Sequence, residues 1–423
     1  MSFQVPGQPV HFVGVGGIGM SAIAKILLED GCAVSGSDLA SNRNTEELAR
    51  LGARIFRGHD ERQVAGARLV VATSAAPESN PELRAAQAQG IPIVKRAVLL
   101  GQLMAQRWGV AVAGTAGKTT TTAMIATILS AAGLDPTIAC GGDLLELGSN
   151  ARLGRGPHFV AEADEFDRSF LQLSARTRVI TNIEADHLDL YGTMGALREA
   201  FQQFAAAPES TVILNEDDLE CQAIARQIGV RAVSFSPATN PDLKLGVPGA
   251  HNRANAAAAL AAARTLGVER AVALKALATF RGTRRRLELV GEARGVRVID
   301  DYAHHPTKVR ASLQALRELA PARLIVIFQP HLYARTKDHF DDFVHAFDAA
   351  DQVIVVDTYS PAGREERREK TSADLAAAMQ AAYVPSFMDA AADIDPPPGS
   401  IVVAMGAGTI TELPPLLLER LRG

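Results

Sequence analysis

Cysteine is scarce: the three present, Cys32, Cys140 and Cys221, lie far apart and form no C-x-x-C. That excludes a disulfide framework and a zinc ribbon, and it fits a reducing compartment. Lysine is nearly as rare, 8 residues against 35 arginines, so a lysine inside a motif stands out. No run approaches the roughly 18 apolar residues of a membrane span. The opening MSFQVPGQPVHF lacks the basic start and apolar stretch of a secretory signal. An excess of basic charge is missing too: Lys plus Arg is 43, Asp plus Glu is 47, and the net charge is −4. Nothing there points to nucleic acid or another polyanion. The expectation is a cytoplasmic chain with neither a nucleic-acid nor a membrane partner, as a monomer or weak dimer. No short-period repeat occurs, and DIDPPPGS is the one low-complexity segment.

What is present is an ordinary globular composition over 423 residues, 47% hydrophobic and 21% charged, with mean hydropathy +0.06. That length is too great for one core and suits two or three domains. Short β-branched runs alternate with loops and amphipathic helices, the mark of parallel sheets covered by helices. The predicted fold is α/β with three domains, each a mainly parallel sheet with flanking helices. A Rossmann-like domain is expected over 1–105, a P-loop ATPase-like one over 106–279 and a second Rossmann-like one over 280–423. VHFVGV, AVSGS, LVVATS and IPIVK are the strands of the first. VAVAG, HFVAEAD, RVITNIE and TVILNE belong to the second, and VRVIDDY, RLIVIFQP, QVIVVDTY and SIVVAMGAG to the third. The run Ala256 to Ala263 reads as a buried helix, and REERREK as a solvated helix face with no assigned role.

Two glycine turns carry the first chemistry. Gly14-x-Gly16-Gly17-x-Gly19-Met20 joins a strand to a helix, and its glycines let a phosphate approach backbone N–H groups. Asp38 ends the next strand, where a ribose-binding carboxylate belongs. NAD is the obvious dinucleotide, yet the turn does not identify the nucleotide, and such turns also serve tight packing. The second turn is Gly114-Thr115-Ala116-Gly117-Lys118-Thr119-Thr120. Val112 replaces the first glycine of a full phosphate loop. The backbone donors, a lysine for the β and γ phosphates and a hydroxyl for Mg²⁺ are all present. ATP binding is the favoured reading.

Glu162-Ala163-Asp164-Glu165-x-Asp167 follows a strand at the end of the sheet that also carries this loop. Clustered carboxylates need a neutraliser, and Mg²⁺ is the natural one; an exposed acidic loop is the alternative. Asp186-His187 follows another strand end. The third block has Arg284-Arg285-Arg286, then Asp300-Asp301-Tyr302-Ala303-His304-His305, then His331-Leu332-Tyr333-Ala334-Arg335. Polar clusters at consecutive strand ends of one sheet mark a shared crevice, and an arginine there can take a carboxylate bidentately.

In this order and spacing, GVGGIGM, GTAGKTTTT, AEADEFDRSFL, TNIEADHLDLYG, GAHNRANA, FRGTRRRLE, DDYAHHPT, FQPHLYARTKDHFDDF and MGAGTI resemble the Mur ligase family over nearly the whole chain. By the resemblance, GVGGIGM together with the HH-containing DDYAHHPT sets the chain apart from the members adding D-glutamate, diaminopimelate or D-Ala-D-Ala. The resemblance implies ATP-dependent ligation of L-alanine to the lactyl carboxylate of UDP-N-acetylmuramate, a cytoplasmic step of peptidoglycan biosynthesis. A sister enzyme that joins a recycled tripeptide to the same nucleotide sugar is the nearest alternative. By the same resemblance the first turn takes the UDP-sugar rather than NAD, through Gly16, Gly17, Gly19, Met20, Asp38 and Ser74. ATP falls to Gly114, Thr115, Ala116, Gly117, Lys118, Thr119 and Thr120, with His251 and Asn255 flanking adenine and Arg286 and Asp301 reaching the nucleotide. Thr119, Glu162 and His187 would ligate Mg²⁺, two ions in all, and Lys118, Glu162, His187 and Arg286 form the catalytic set. Tyr302, His304, His331 and Arg335 would recognise L-alanine.

The chain departs from the family pattern in four places. Ala116 stands where histidine is usual, and Thr409 where aspartate is. The stretch between Phe204 and His251 is short, which implies a trimmed central sheet. No lysine lies between His187 and Thr211, so the carbamylated lysine of related ligases has no candidate. A catalytically impaired UDP-sugar binder and an NAD-dependent oxidoreductase are the competing readings. The second leaves the phosphate loop and the whole third block unexplained.

Overall fold

The computed structural model describes residues 7–228, 231–360 and 369–423. The fold is α/β, built on three mainly parallel sheets as the alternating pattern predicts. The first sheet is wholly parallel, in the order Arg54–Arg57, Val34–Asp38, Val10–Val13, Leu69–Ala72, Ile93–Lys95. Its two central strands are buried along their whole length, the condition for a sheet covered on both faces.

The second sheet has the order Arg231–Phe235, Thr211–Asn215, Thr177–Ile180, Trp108–Ala113, His158–Glu162, Thr137–Leu144, Ser149–Arg152. Only its last pair is antiparallel. The third runs Glu288–Ala293, Val296–Asp301, Ile401–Met405, Leu324–Phe328, Gln352–Val355, Ala382–Tyr383, with only the first pair antiparallel. The chain divides into two compact units, Met1–Lys244 with Ala254–Phe280, and Leu245–Arg253 with Arg281–Gly423. The first two sheets share the first unit and one apolar core, whereas the third sheet has cores of its own.

The apolar strands named from the sequence all form, and the missed ones are marginal by composition. Arg54–Arg57 and Glu288–Ala293 are edge strands with exposed residues, and Ala382–Tyr383 is two residues long. Thr137–Leu144 carries two glycines and an aspartate. The short stretch after Phe204 still supplies two strands, Thr211–Asn215 and Arg231–Phe235. The alanine run is buried, from 0% to 8% exposed, inside the helix Ala250–Thr265. The REERREK run falls almost wholly outside the described residues. All three cysteines are buried and unbridged, and no described helix is long and apolar enough to cross a membrane.

Within the first unit a polar seam ties the helix Ile18–Glu29 to the hairpin of the second sheet. Lys25, 1% exposed, donates to Asn150 Oδ1 at 2.8 Å and pairs with Glu47 at 2.9 Å. Asn150 in turn donates to the carbonyl of Ile18, the first residue of the helix that the glycine turn opens. The helix opened by the first glycine turn is therefore bonded directly to the second sheet.

Candidate active site

The first glycine turn is enclosed by its own neighbours. Gly16 N–H donates to Asp38 Oδ2 at 2.9 Å, and Gly16 C=O accepts from Asn42 and Asn44. A Cβ on Gly16 would lie 2.5 Å from Asn42 Nδ2 and 2.8 Å from Asp38 Oδ2, so a side chain there would push both of these groups aside. The Gly16 amide and the Asp38 carboxylate are thus engaged with each other. The helix Ile18–Glu29 has no side-chain cap and no acid in its first turn. The amides of Ile18, Gly19 and Met20 have no intrahelical acceptor, and those are the donors this turn offers an anion. The Met20 side chain is core, 3% exposed, so its contribution there is its backbone. Ser74 donates to Asp167 Oδ2 at 2.8 Å, which links it to the acidic run of the second sheet.

The second turn follows the strand Trp108–Ala113 and opens the helix Lys118–Ala131. Gly117 sits at φ +83°, and a Cβ there would fall 2.2 Å from Asn255 Oδ1. Asn255, expected near this loop, is therefore packed against it. The peptide at Ala116 is clamped: its N–H donates to Asn182 Oδ1 at 2.9 Å, and its C=O accepts from Thr181 Oγ1 at 2.6 Å. Thr115 N–H is likewise used, on the carbonyl of Asn182. The donors left by helix geometry are the first-turn amides of Lys118, Thr119 and Thr120. Thr181 and Asn182 lie in the quoted TNIEADHLD segment, yet nothing in their spacing showed this clamp.

Lys118 is the centre of charge. Its ammonium donates to Gly114 O at 2.6 Å and to Glu165 Oε1 and Oε2 at 2.7 and 2.8 Å. Burial pulls the ammonium pKa down, but the Glu165 and Glu162 carboxylates outweigh it and hold it above the usual lysine value. Glu165 is itself pushed up by burial, which Lys118 opposes. Thr119 Oγ1 donates to Glu162 Oε2 at 2.8 Å, and the Gly141 amide donates to the same oxygen at 2.9 Å. His187 Nε2 lies 4.0 Å from Glu165 Oε1, with its ring edge-on to Phe166. Of the three expected metal ligands, Thr119 and Glu162 are in contact, while His187 lies 4.0 Å from a Glu165 oxygen and 3.9 Å from an Asp186 oxygen. Thr119 and Glu162 are hard oxygen donors of the kind Mg²⁺ takes, and it ordinarily completes its shell with water and phosphate. No three His, Cys, Asp or Glu side chains converge into a metal cage among the described residues.

The second unit gathers the remaining candidates. Arg286 lies over the Tyr302 ring, 5.1 Å from its centroid, and His304 stands edge-on to the same ring at 5.0 Å. His304 Nδ1 is 2.8 Å from Tyr302 O, and a carbonyl only accepts, so Nδ1 carries the proton and Nε2 is the acceptor. Burial, then the nearby Arg335 and Lys308 charges, hold this imidazole well below the usual histidine range, hence neutral. Arg335 Nη1 donates to His331 Nδ1 at 2.9 Å, and His331 packs on Tyr359. His251 is held below the ordinary histidine value by burial. Thr409 Oγ1 is 3.2 Å from Gln329 Nε2, so the hydroxyl in place of the usual aspartate has an amide donor.

Asp301 is fully buried. Burial pushes its carboxyl up to about 6, against the Ser312 hydroxyl and the Arg286 guanidinium, which favour the charged form. A folded-state pKa above the ordinary 3.8 means that the ionised group opposes folding above about pH 6. That opposition fades as pH falls from 6 towards 3.8. Asp301→Asn is therefore expected to stabilise the fold near pH 7.5, on the order of 2–3 kcal/mol, with a smaller gain at pH 4.5. Thermal melts at the two pH values check this, and an equal shift at both would contradict it.

Three family models match successive parts of the chain. They are the Mur ligase family catalytic domain over residues 9–108, the Mur ligase middle domain over 112–243 and the Mur ligase glutamate ligase domain over 285–408. A UDP-N-acetylmuramate–L-alanine ligase of Acidithiobacillus ferrooxidans is 43% identical over 96% of each chain. Among solved structures, the UDP-N-acetylmuramate-alanine ligase of Thermotoga maritima is 31% identical, covering 98% of this chain and 99% of its own, with a TM-score of 0.84. A murein peptide ligase of Psychrobacter arcticus is 25% identical over the same shares, with a TM-score of 0.74. The chain belongs to the Mur ligase family.

Proposed function

We propose that this chain joins L-alanine to the lactyl carboxylate of UDP-N-acetylmuramate with hydrolysis of ATP to ADP and phosphate, a cytoplasmic step of peptidoglycan biosynthesis. The observation that carries the reading is the Lys118 turn beside Thr119 and Glu162, in a chain 43% identical along its length to a ligase of that name. The UDP-sugar is assigned to residues 1–105, ATP to 106–279 and L-alanine to 280–423.

A carboxylate does not react with an amine at neutral pH, because oxide is a hopeless leaving group. Transfer of the γ-phosphoryl of ATP to the lactyl carboxylate gives an acyl phosphate and ADP. The amine of L-alanine attacks the acyl carbon through a tetrahedral intermediate, and phosphate leaves. Positioning and charge neutralisation supply most of the acceleration. The Lys118 ammonium and the first-turn amides of Lys118, Thr119 and Thr120 cradle the phosphates. Thr119, Glu162 and His187 would hold Mg²⁺, which supplies further charge neutralisation when bound. Asn255 is packed on the loop, and the family resemblance assigns it with His251 to the adenine, and Arg286 and Asp301 to the nucleotide. Gly16 and Gly17, whose own amides bond within the turn, shape it, and Asp38, Ser74 and the amides of Ile18, Gly19 and Met20 serve the UDP-sugar. Arg335 takes the carboxylate of L-alanine, and Nε2 of the neutral His304 accepts a hydrogen bond from its amino group. Tyr302 and His331 fix those two side chains.

A phosphate-release assay with UDP-N-acetylmuramate and ATP, run across amino acids and the recycled tripeptide, tests the assignment. Release dependent on L-alanine is expected. Release only with the tripeptide would make this the recycling enzyme, and UDP-sugar binding with no ADP formed would make it an inactive binder.

A further inference from the structure

The three N–H bonds of the Lys118 ammonium are matched by three acceptors. One is the Gly114 carbonyl at 2.6 Å, and the others are the two oxygens of Glu165 at 2.7 and 2.8 Å. These last are charge-assisted bonds made by a side chain only 2% exposed. A lysine that holds phosphate must give it at least one donor, so a phosphate oxygen can arrive only in place of one of these acceptors. Gly114 O is fixed in the backbone of the turn. The backbone of Glu165 is also fixed, its carbonyl accepting from the Tyr191 hydroxyl at 2.5 Å. Its carboxylate, however, is carried on rotatable bonds. His187 Nε2, 4.0 Å from Oε1, offers the carboxylate a second neighbour when it leaves the ammonium.

We propose that Glu165 is a positioning residue that parks the Lys118 ammonium in the nucleotide-free protein and yields it to the phosphates of ATP. Nucleotide affinity is then set by competition between this one carboxylate and the incoming phosphate. The inference rests on the ATP-ligase reading above and adds a residue to it.

Calorimetric dissociation constants for ATP and ADP, with and without Mg²⁺, test it in the native chain, Glu165→Gln, Glu165→Asp and Asp164→Asn. Glu165→Gln removes the competing charge and keeps the shape, so metal-free ATP should bind about tenfold tighter. Asp164→Asn removes an equal charge from a 42%-exposed side chain that faces Arg96 and accepts from the Phe166 amide, and should change affinity far less. Glu165→Asp, too short to keep both bonds, should also tighten binding, though by less, and serves if the glutamine variant does not fold. Damage to the site loses affinity, so a gain cannot come from misfolding. Unchanged or weaker binding in both Glu165 variants would mean that the carboxylate stays on Lys118, and would overturn the proposal. An equal gain in Asp164→Asn would attribute the effect to bulk charge and overturn it too. If the native chain binds no ATP under either condition, the ligase reading falls, and this inference with it.

Discussion

Lys118→Ala is expected to abolish ligation while leaving UDP-N-acetylmuramate binding nearly intact. Lys118 lies at the start of the helix Lys118–Ala131 in the second sheet's layer, and the UDP-sugar is assigned to the turn after Val10–Val13 in the first. Loss of the ammonium leaves the transferring phosphoryl without its nearest fixed positive charge. Charge neutralisation dominates phosphoryl transfer, so the rate should fall by several orders of magnitude. A second consequence follows from Glu165. Its carboxylate is buried against Lys118, and truncating the lysine strands that charge. Breaking a buried pair from one side typically costs about 3–5 kcal/mol, so the alanine variant should melt well below the native chain. The double variant Lys118→Met with Glu165→Gln removes both charges and should recover much of that stability with no recovery of ligation. Calorimetry with each ligand and thermal melts of the three proteins separate these effects. Loss of UDP-sugar binding by the well-folded double variant would show that the two ligands share a site, and the division between the first two sheets would be wrong.

What was legible in the sequence was set by how locally each feature is encoded. The parallel strands are continuous apolar runs such as Leu324–Phe328 and Ile401–Met405, and burial on both faces leaves no other composition stable there. The strand-to-helix turns are contiguous motifs, so Gly16, Gly117 and Lys118 were identified by neighbours a few residues away. Edge strands such as Arg54–Arg57 were missed because one side meets water and little apolar surface is needed. The side-chain partners were missed for a different reason: they are distant in sequence. Lys118 meets Glu165 across 47 residues, and Ala116 meets Asn182 across 66. Glu82, wholly buried, collects His11, Ser37 and His59 from three separate segments, and no motif announces it. The acidic run after His158–Glu162 was visible as a run, but not which carboxylate faces the lysine and which the threonine hydroxyl. Only the packing of the strand ends decides that Glu165 takes the first and Glu162 the second.

Arg335→Lys is expected to raise the KM for L-alanine strongly while the affinities for ATP and UDP-N-acetylmuramate hardly change. Arg335 lies in the short helix Tyr333–Asp338, just beyond the strand Leu324–Phe328. His331 Nδ1 accepts from its Nη1 at 2.9 Å, which fixes the plane of the guanidinium. A planar, always charged fork matches a carboxylate with two parallel N–H bonds, and holding the carboxylate aims the amine at the acyl carbon. Lysine keeps the charge but presents a point, so one bond and the angular control are lost together. A hydrogen bond to a charged group is worth about 1.5–3 kcal/mol, so an increase in KM of tenfold to a hundredfold is expected. Lysine also lacks the geometry that holds His331, so the pH dependence of the L-alanine KM should change, whereas that of the ATP KM should not. Steady-state kinetics with each substrate varied in turn measure all of this. A defect confined to the ATP dependence, with the L-alanine KM unmoved, would make Arg335 a phosphate ligand and would remove L-alanine from the strand ends of the third sheet.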